Sequence, residues 1–444
     1  MIRLATFIIC IFLFQSTYAQ SPAKPSSADI FNSIQKLQVL GSVLYVAAHP
    51  DDENTRMISY FSNHKHYHTT YLSLTRGDGG QNLIGSEISD LLGLIRTQEL
   101  IAARKLDGGN QLFSRARDFG YSKHSDETME IWNKDEVLSD VVWAIRKTRP
   151  DIIINRFDHR TPGSTHGHHT ASAILAEDAM AISGDASVYP QQLDHVTPWS
   201  PSRLFFNTHW WFYGSREKFE EADKSKLASV DIGVFYPLKG LSNNEIAAAS
   251  RSMHKSQGFG STGSRGSEIE YAEILQGSQP QNDPMDGINT TWSRLNGGDK
   301  VAFLLKEIEQ SFDLENPAAS IPELMKAYEA ILTLEDDGFW VRLKLVELKD
   351  VIYHCGGLFV EAVAGDFSAA PGGNLQMDVE AISRLSDGIK LVEFGINGTN
   401  LDTSLALDMG VNQGYSWHFD LKLDEDLPFS GPYWLKEEGT LGMF

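Results

Sequence analysis

Apolar runs and helical patterns alternate along the first half of the chain. Four segments are dominated by apolar, β-branched or aromatic residues: 43–48, 69–75, 152–154 and 204–206. Three segments show helical periodicity instead: 95–106, 137–147 and 170–182. Strands that are apolar along their whole length are typical of a parallel sheet covered on both faces. The pattern therefore predicts an α/β fold with a doubly wound, mostly parallel sheet.

The pattern changes in the second half of the chain. Gly, Ser, Gln and Asn are concentrated between residues 258 and 289, and we predict a loop or linker over 263–297. Helical spacing predicts a small helical region of two or three helices over 298–355. Alternating residues and Gly-rich turns then predict a β-sandwich-like region over 356–444. A sandwich usually takes about 100 residues, so one expectation is that this region is truncated.

The N-terminus predicts export. Arg3 is the only charged residue before residue 20, the run from residue 4 to residue 14 is apolar, and Ala19 offers a small-residue cleavage site. We therefore expect a signal peptide at residues 1–19 and a periplasmic or extracellular protein. The apolar run is too short to cross a bilayer comfortably, so we expect no stable membrane span.

The net charge of the chain indicates which binding partners are unfavourable. The chain has 38 Lys and Arg against 59 Asp and Glu, a net charge of −21, and no Lys/Arg-rich run. Such an acidic chain is a poor candidate for binding nucleic acid. The acidic charge neither favours nor excludes a neutral substrate.

A first group of reactive side chains lies in the sequence AHPDDE at residues 48–53, directly after the first predicted strand. Ligands of open α/β sheets bind beyond the carboxyl ends of the strands. His49, Asp51 and Asp52 are therefore expected where chemistry takes place, and they can supply two metal ligands and a base. The alternative is a polar turn that caps the next helix.

A second group is the sequence HGHH at residues 166–169. His166 and His169 are three residues apart and share one face of a helical turn, although a solvent-facing cluster is the alternative. His49, Asp52 and His169 together would give a two-histidine, one-carboxylate set with an open fourth position, as in catalytic zinc sites. The same set suits Fe2+, so we predict one Zn2+ per chain, with Fe2+ as the alternative metal.

These two motifs carry a family resemblance. AHPDDE after the first strand, followed by H-x-x-H at 166–169, resembles the zinc-dependent N-acetylglucosaminyl-phosphatidylinositol de-N-acetylase family (PIG-L, or LmbE-like). The resemblance covers roughly residues 41–260 and implies a Rossmann-like deacetylase domain, which we place at 36–262. It also implies a single zinc ion and hydrolysis of an N-acetyl group, commonly on a glucosamine.

The resemblance also implies a role for each motif residue. His49, Asp52 and His169 match the zinc ligands, and Asp51 matches the general base. His166 matches the histidine that stabilises the oxyanion or protonates the leaving amine. These roles suit amide hydrolysis, because zinc lowers the pKa of bound water to ~7 and the two remaining side chains can move protons.

The chain departs from the family at one position. The usual pattern is H-x-D-H, and His168 stands where the Asp is expected. That Asp is expected to orient a metal ligand or the acid histidine. The departure therefore affects the tuning of His166 and leaves the three metal ligands in place.

Five further residues are predicted to contact substrate: Arg76, Asp78, Arg96, Arg156 and His254. The first two lie in a Gly-rich loop at 75–82, the third in an Arg-x-x-Glu pattern and the last in an H-x-S-Q pattern, all similar to family motifs. Arg156 follows the strand at 152–154. The alternatives are a tight turn, a surface salt bridge between Arg96 and Glu99, and a plain helix end.

The sequence as a whole predicts an exported zinc-dependent hydrolase that acts on an N-acetylated sugar or glycoconjugate. Two alternatives differ from it in class. One is a metal-dependent amidase for non-sugar N-acyl substrates, and the other is a catalytically silent sugar-binding homologue. The presence of both a base and a full ligand set favours a catalyst over the silent homologue.

Overall fold

The computed structural model describes residues 24–161, 165–335, 338–396 and 401–432, together with residues 399, 435, 436, 438 and 442. The signal peptide predicted at 1–19 lies outside these residues and stays a prediction. Within the described ranges, no helix combines the length and the apolarity that a bilayer crossing requires.

A seven-stranded sheet forms the centre of the α/β part. The strands up to residue 276 are β1 (Ser42–Ala47), β2 (His68–Ser73), β3 (Asn110–Phe113), β4 (Ile152–Asn155), β5 (Arg203–Thr208), β6 (Leu227–Asp231), β7 (Phe235–Tyr236), β8 (Leu241–Ser242) and β9 (Ile269–Gln276). The order in the sheet is β3-β2-β1-β4-β5-β9-β6, while β7 and β8 pair separately. Strands β1 to β5 are parallel, and β9 is antiparallel to both neighbours. The predicted mostly parallel α/β fold is confirmed.

Helices lie before and between these strands: α1 (Ser27–Leu37), α2 (Thr55–Ser59), α3 (Asp90–Asp107), α4 (Ser125–Trp132), α5 (Lys134–Thr148), α6 (Gly167–Ile182), α7 (Arg216–Glu221) and α8 (Asn243–Arg251). Val43 and Tyr45 of β1 pack into one apolar core, and Leu44 packs into the core on the other face. All three are fully buried, so the sheet is covered on both sides. Burial of such side chains contributes about 1.5–3 kcal/mol each and explains why the strand is apolar throughout.

Three helices follow the sheet, as predicted: α9 (Gly298–Ser311), α10 (Ile321–Leu332) and α11 (Phe339–Cys355). Helix α1 packs with them, because Ile34 and Leu37 share a buried core with Trp292 and Leu305. A capping box between Ser26 and the backbone and side chain of Asp29 begins α1. The N-terminal helix therefore completes the helical region.

The stretch predicted as a loop or linker, 263–297, contains strand β9. The loop prediction is wrong for residues 269–276. This strand lies between β5 and β6 and hydrogen-bonds to both. Its two glutamates, Glu270 and Glu273, pair with Arg56 and Arg160, so the polar residues that hid the strand in the sequence have partners in the fold.

The chain after α11 has the predicted β character. Its strands are β10 (Leu358–Ala364), β11 (Asn374–Ser383), β12 (Lys390–Gly395), β13 (Asp402–Asp408) and β14 (Gln413–Lys422). They form two small antiparallel sheets, β10-β11-β14 and β12-β13. The ring of Phe394 in β12 lies 5.3 Å from Trp417 and 5.6 Å from Phe419 of β14. The two sheets therefore face each other through aromatic side chains.

The strand order fixes where ligands bind. Strand β1 lies between β2 and β4, so the chain leaves β1 towards one edge of the sheet and later returns to its other side. Such a reversal opens a crevice at the carboxyl ends of the two central strands. Residues 48–53 follow β1, and residues 156 and 157 follow β4, so both segments border this crevice.

Candidate metal centre

The loop after β1 folds back on itself so that an imidazole and a carboxylate meet. The backbone N–H of His49 donates to Asp52 Oδ2 at 2.8 Å, and the His49 ring Nδ1 lies 3.1 Å from the same oxygen. The hydroxyl of Tyr71 on β2 donates to the His49 carbonyl oxygen at 2.6 Å and anchors the loop. The side chains of His49 and Asp52 are 12% and 10% exposed, so both are largely buried.

Helix α6 brings the third donor. His169 Nε2 lies 3.5 Å from Asp52 Oδ1. The Phe157 ring stacks on the His169 ring, with centroids 3.8 Å apart and an interplanar angle of 3°, and this contact fixes the orientation of the imidazole. Donor atoms of His49, Asp52 and His169 all lie within 4.8 Å of one another. The residues predicted as ligands therefore form a donor set of the kind that holds a catalytic divalent ion.

A second donor group overlaps the first. His49, His166 and His168 also place one nitrogen each within 4.8 Å of the others. His49 is common to both groups, so a single ion would use one group or the other. The first group contains the carboxylate that zinc and iron sites of this type use, whereas the second contains imidazoles alone.

His166 caps the N-terminus of α6. Its Nδ1 accepts the backbone N–H of His168 at 3.0 Å, so the ring proton of the neutral imidazole sits on Nε2. That nitrogen lies 3.1 Å from the carbonyl oxygen of Gly120, to which it donates in this tautomer, and 3.3 Å from the backbone nitrogen of Ser122. His166 is thus beside the donor cluster, with ring centroids 5.4 Å from His49 and 5.2 Å from His169.

His168 lies behind the metal-ligand candidates, at the position where the family pattern has Asp. It is fully buried, and its Nδ1 lies 2.9 Å from His49 Nε2. Burial, reinforced by the neighbouring histidines, lowers the pKa of His168 to about 2, so the ring is neutral. If His49 binds a metal ion through Nδ1, its ring proton lies on Nε2 and is donated to His168 Nδ1. The His168 proton then sits on Nε2, which has no hydrogen-bond partner and lies among the rings of Phe119 and Trp132.

Two adjacent carboxylates at this site differ in proton affinity. Burial and the neighbouring Asp52 charge raise the pKa of Asp51 to about 7. Burial acts in the same direction on Asp52, but the charges and hydrogen bonds of His169 and His49 outweigh it and hold the pKa of Asp52 well below its usual value. Environments that separate two pKa values in this way distinguish a proton-exchanging group from a permanently charged one.

Asp51 has an uncommon backbone conformation, which is held by residues at and after the end of α8. Its φ is +103°, a region that non-glycine residues rarely adopt, so surrounding contacts must hold it there. Gln257 Nε2 donates to Asp51 Oδ2 and, at 3.1 Å, to the Pro50 carbonyl oxygen. Arg251 Nη1 donates to the Asp51 carbonyl oxygen at 2.9 Å. The predicted base therefore has both its backbone and its carboxylate fixed.

A cavity of about 560 Å³ opens on the donor cluster. Its lining is mainly polar and includes Asp51, Asp52, Arg56, Arg156, Phe157, His169, Asn244, Arg251 and residues 261–264. Of the five predicted substrate contacts, Arg156 lines this cavity. The segment 261–264 belongs to the Gly/Ser-rich stretch, so that stretch forms one wall of the candidate site.

Arg96 and the Gly-rich loop pack against each other. Arg96 is 3% exposed and donates through Nη2 to the Gln81 carbonyl oxygen at 2.7 Å. A Cβ atom at Gly77, whose φ is +70°, or at Gly80 would lie 2.7 Å or 2.5 Å from the Arg96 side chain. A side chain at either position would displace the buried guanidinium, and the positive φ of Gly77 also favours glycine there.

The other predicted substrate residues have partners within the fold. Arg76 packs over the Phe113 ring at 4.2 Å and donates to Thr97 at 3.0 Å. Asp78 accepts the backbone N–H of Asp118 at 3.3 Å. These residues lie outside the lining of the 560 Å³ cavity.

His254 and Glu99 both anchor the late H-x-S-Q segment. His254 is fully buried, and its Nε2 lies 2.7 Å from Glu53 Oε1. Burial opposes ionisation of Glu53, but His254 and Arg104 lower the pKa of Glu53 to about 2. Glu99 accepts the N–H and the hydroxyl of Ser256 at 2.6 and 2.7 Å, where the sequence allowed a salt bridge with Arg96. The segment that carries Gln257 is thereby fixed against Asp51.

A second, larger cavity of about 760 Å³ lies beyond His168. Phe119 and Trp132, which contact His168, form part of its wall. Its two arginines are neutralised. Arg115 makes two hydrogen bonds to Asp140 at 2.9 and 2.8 Å. Arg117 donates to Asp90 at 2.9 Å and lies 3.5 Å from Asp78.

Sequence reasoning missed Phe157 and Arg251. Phe157 is adjacent to the predicted Arg156, but only the fold shows that its ring stacks on His169. Arg251 ends a short helix far along the chain from α6, and no local motif connects it to Asp51. Contacts of this kind depend on tertiary packing and leave no short-range pattern.

Comparisons with known proteins agree with the motifs. The sequence model of the family described as GlcNAc-PI de-N-acetylase, PIG-L, matches residues 44–180. No functionally curated protein matches the chain.

Several solved structures are similar at low identity. The N,N'-diacetylchitobiose deacetylase of Pyrococcus horikoshii is 21% identical, with 49% of this chain and 71% of that one covered and a TM-score of 0.36. The 4-carboxy-2-hydroxymuconate hydratase GalB of Pseudomonas putida is 16% identical, with 55% and 99% covered and a TM-score of 0.36. The zinc-inhibited form of a teicoplanin deacetylase is 13% identical, with 53% and 100% covered and a TM-score of 0.32.

Proposed function

Because residues 44–180 of this chain belong to the GlcNAc-PI de-N-acetylase (PIG-L) family, we propose that the protein is a metal-dependent hydrolase that removes an N-acetyl group from an N-acetylglucosamine-type sugar or glycoconjugate. The observation that carries this proposal is the donor cluster of His49, Asp52 and His169, with Asp51 beside it. Zn2+ is the proposed cofactor, and Fe2+ suits the same donors.

The proposed chemistry uses the donor cluster, a proton-transfer group, Asp51, and a hydrogen-bond donor, His166. His49, Asp52 and His169 would hold a divalent ion, which would supply Lewis acidity to the amide carbonyl and activate a water molecule. Asp51 accepts the proton of the attacking water, because its carboxylate is free of the donor set and its pKa lies at about 7. Asp51 would then pass this proton to the leaving amine, while His166 would stabilise the developing oxyanion by turning its Nε2–H from Gly120 to that oxygen.

The cavity supports a hydroxyl-rich substrate. Its 560 Å³ are lined by amide and hydroxyl groups, among them Asn244, Ser261 and Ser264, next to the donor cluster. Hydroxyl and amide side chains can both donate and accept hydrogen bonds, as recognition of a sugar requires. Export, proposed from residues 4–19, would place this activity in the periplasm or outside the cell.

Acetate release tests the proposal. The full chain is incubated with N-acetylglucosamine oligosaccharides and, in parallel, with N-acetylated amino acids, each with and without a metal chelator. We expect acetate from the sugars alone, loss of release with chelator, and recovery on adding Zn2+ or Fe2+. Chelator-sensitive release from the amino acids alone would identify the amidase alternative. Sugar binding without any release would identify the silent homologue.

A further inference from the structure

Three guanidinium groups line the cavity on the donor cluster: Arg56, Arg156 and Arg251. One of them is neutralised. Arg56 pairs with Glu268 through Nη1 and with Glu270 through Nη2, the latter at 2.6 Å. Its charge is therefore already balanced within the protein.

The charge of Arg156, in contrast, is not balanced by a carboxylate of the described residues. It donates to the amide oxygen of Asn207 at 3.3 Å and interacts with the hydroxyl of Tyr45, both of which are neutral groups. Within the described ranges, no carboxylate lies within 4 Å of its nitrogens. The residue is half-buried directly after β4, next to the Phe157 ring that supports His169.

The charge of Arg251 is not balanced by a described carboxylate either. Nη1 donates to the backbone carbonyl oxygen of Asp51, and the guanidinium lies 4.3 Å from the centre of the Phe259 ring. Across the part of the chain that the structure describes, its nitrogens also have no carboxylate within 4 Å. A guanidinium has five N–H donors, so Arg156 and Arg251 each retain donors for a ligand.

The carboxylates that line the same cavity contact histidines or Gln257 and do not pair with Arg156 or Arg251. Asp52 faces the two histidines of the donor cluster, and Asp51 accepts from Gln257. Glu53 is buried and bonded to His254. The two uncompensated guanidiniums are thus the charges that this cavity offers to a ligand.

We infer that the substrate carries an anionic group, a carboxylate or a phosphate, which Arg156 and Arg251 bind next to the N-acetyl group that reacts. The substrate class is then an acidic N-acetylated sugar or glycoconjugate. A half-buried cation without a counterion is costly, and a bidentate guanidinium is suited to both of these anions. The inference deepens the proposed function and rests on it for the reaction, but the anion site can be tested by binding alone.

Calorimetry with three sugars tests the site: N-acetylglucosamine, N-acetylmuramic acid with its carboxylate, and N-acetylglucosamine 1-phosphate. Titrations are made on the full chain, metal-loaded and chelator-treated, because a bound metal ion could attract an anion by itself. Charge-assisted hydrogen bonds predict that at least one acidic sugar binds about 10- to 100-fold more tightly than the neutral sugar in both preparations. The carboxylate and phosphate arms show which anion the site takes.

Three variants test whether Arg156 causes the preference for acidic sugars. Arg156→Gln should remove most of it, whereas Arg117→Gln, a matched change in the second cavity, should leave it intact. Arg156→Lys should retain part of it, since the charge remains and the planar fork is lost, and it serves as a second test if the Gln variant folds poorly.

The inference is overturned if the neutral sugar binds as tightly as both acidic ones, if chelation abolishes the preference, or if Arg156→Gln and Arg156→Lys both keep it in full. Acetate measurements on the same samples separate this from the proposed function. Anion preference without acetate release from any N-acetylated sugar refutes the reaction and keeps the site. Release from neutral sugars alone refutes the site and keeps the reaction.

Discussion

The two cavities on either side of the histidine cluster differ in how their charges are balanced. The larger one, about 760 Å³, contains arginines that are matched by aspartates, as Arg115 is by Asp140. The smaller one, about 560 Å³, contains the donor set and two arginines without carboxylate partners within the described residues. Size alone would select the larger cavity. Donor chemistry and uncompensated charge select the smaller one.

His168 connects the donor cluster to two residues that line the larger cavity. On one side its ring contacts His49 at 2.9 Å, and on the other it packs against Phe119 and Trp132. A buried neutral ring that joins a polar site to an apolar wall orients the polar site without taking part in its chemistry. The comparison therefore predicts that substitutions on the two sides of His168 have very different consequences.

The largest contrast is expected between two carboxylates, one in each cavity. Asp52→Ala removes a metal donor, so activity should fall on the order of 10³-fold or more, together with loss of bound metal. Glu136→Ala, in the larger cavity, should keep both. Steady-state kinetics and elemental analysis of the two variants measure this contrast. Equal losses in both would mean that the larger cavity also takes part in the reaction.

The next effect separates the two adjacent aspartates. Asp51→Asn keeps the shape of the side chain and removes its ability to accept a proton. We expect kcat to fall by about 10²- to 10⁴-fold with metal content unchanged. Asp52→Ala is the matched comparison, since it should lose metal and activity together. Near-full activity of Asp51→Asn would assign the base to another residue.

A smaller effect is expected at His168. His168→Leu removes the acceptor for His49 Nε2, so metal affinity should fall about 10- to 100-fold. His168→Asn offers a carbonyl oxygen near the position of the lost Nδ1 and should retain most of the affinity. Competition with a chromogenic chelator measures both. Metal binding by the Leu variant as tight as in the wild type would show that His168 does not orient His49.

The smallest effect is expected from a surface arginine of the larger cavity. Arg117 is 41% exposed and pairs with Asp90, which is 73% exposed, and such pairs contribute about 0–1 kcal/mol. Arg117→Gln should therefore change the free energy of unfolding by no more than that and leave kcat/KM unaltered. Urea unfolding and kinetics measure the two quantities. A substantial loss of kcat/KM would show that the larger cavity also binds substrate.

Local patterns predicted the parallel sheet because its strands are buried on both faces. Residues 43–48 and 152–154 are apolar without interruption, and in a globular protein such short runs are typical of strands covered on both sides. Strand β9 was missed because it has water on part of its surface and carries glutamates that bind arginines far away in sequence. A half-polar strand in a Gly- and Ser-rich stretch resembles a loop until its partners are known.

The candidate site, like the sheet, could be predicted only in part from the sequence. His49, Asp51 and Asp52 lie within four residues of one another, and three histidines lie within another four, so the clusters were visible in the sequence. The sequence did not show the balance of charge in the cavity. It depends on which carboxylates reach Arg56 and which do not reach Arg156, and only the fold determines those distances.

The identity of the donor group that holds the metal decides the roles of all the residues around it. The structure offers two groups that share His49, one completed by Asp52 and His169 and the other by His166 and His168. Elemental analysis of purified wild type, His169→Ala and His166→Ala distinguishes them directly. We predict about one divalent ion per chain in the wild type and in His166→Ala, and a metal-free His169→Ala. A metal-free His166→Ala beside a fully loaded His169→Ala would contradict the account and assign the ion to the three histidines.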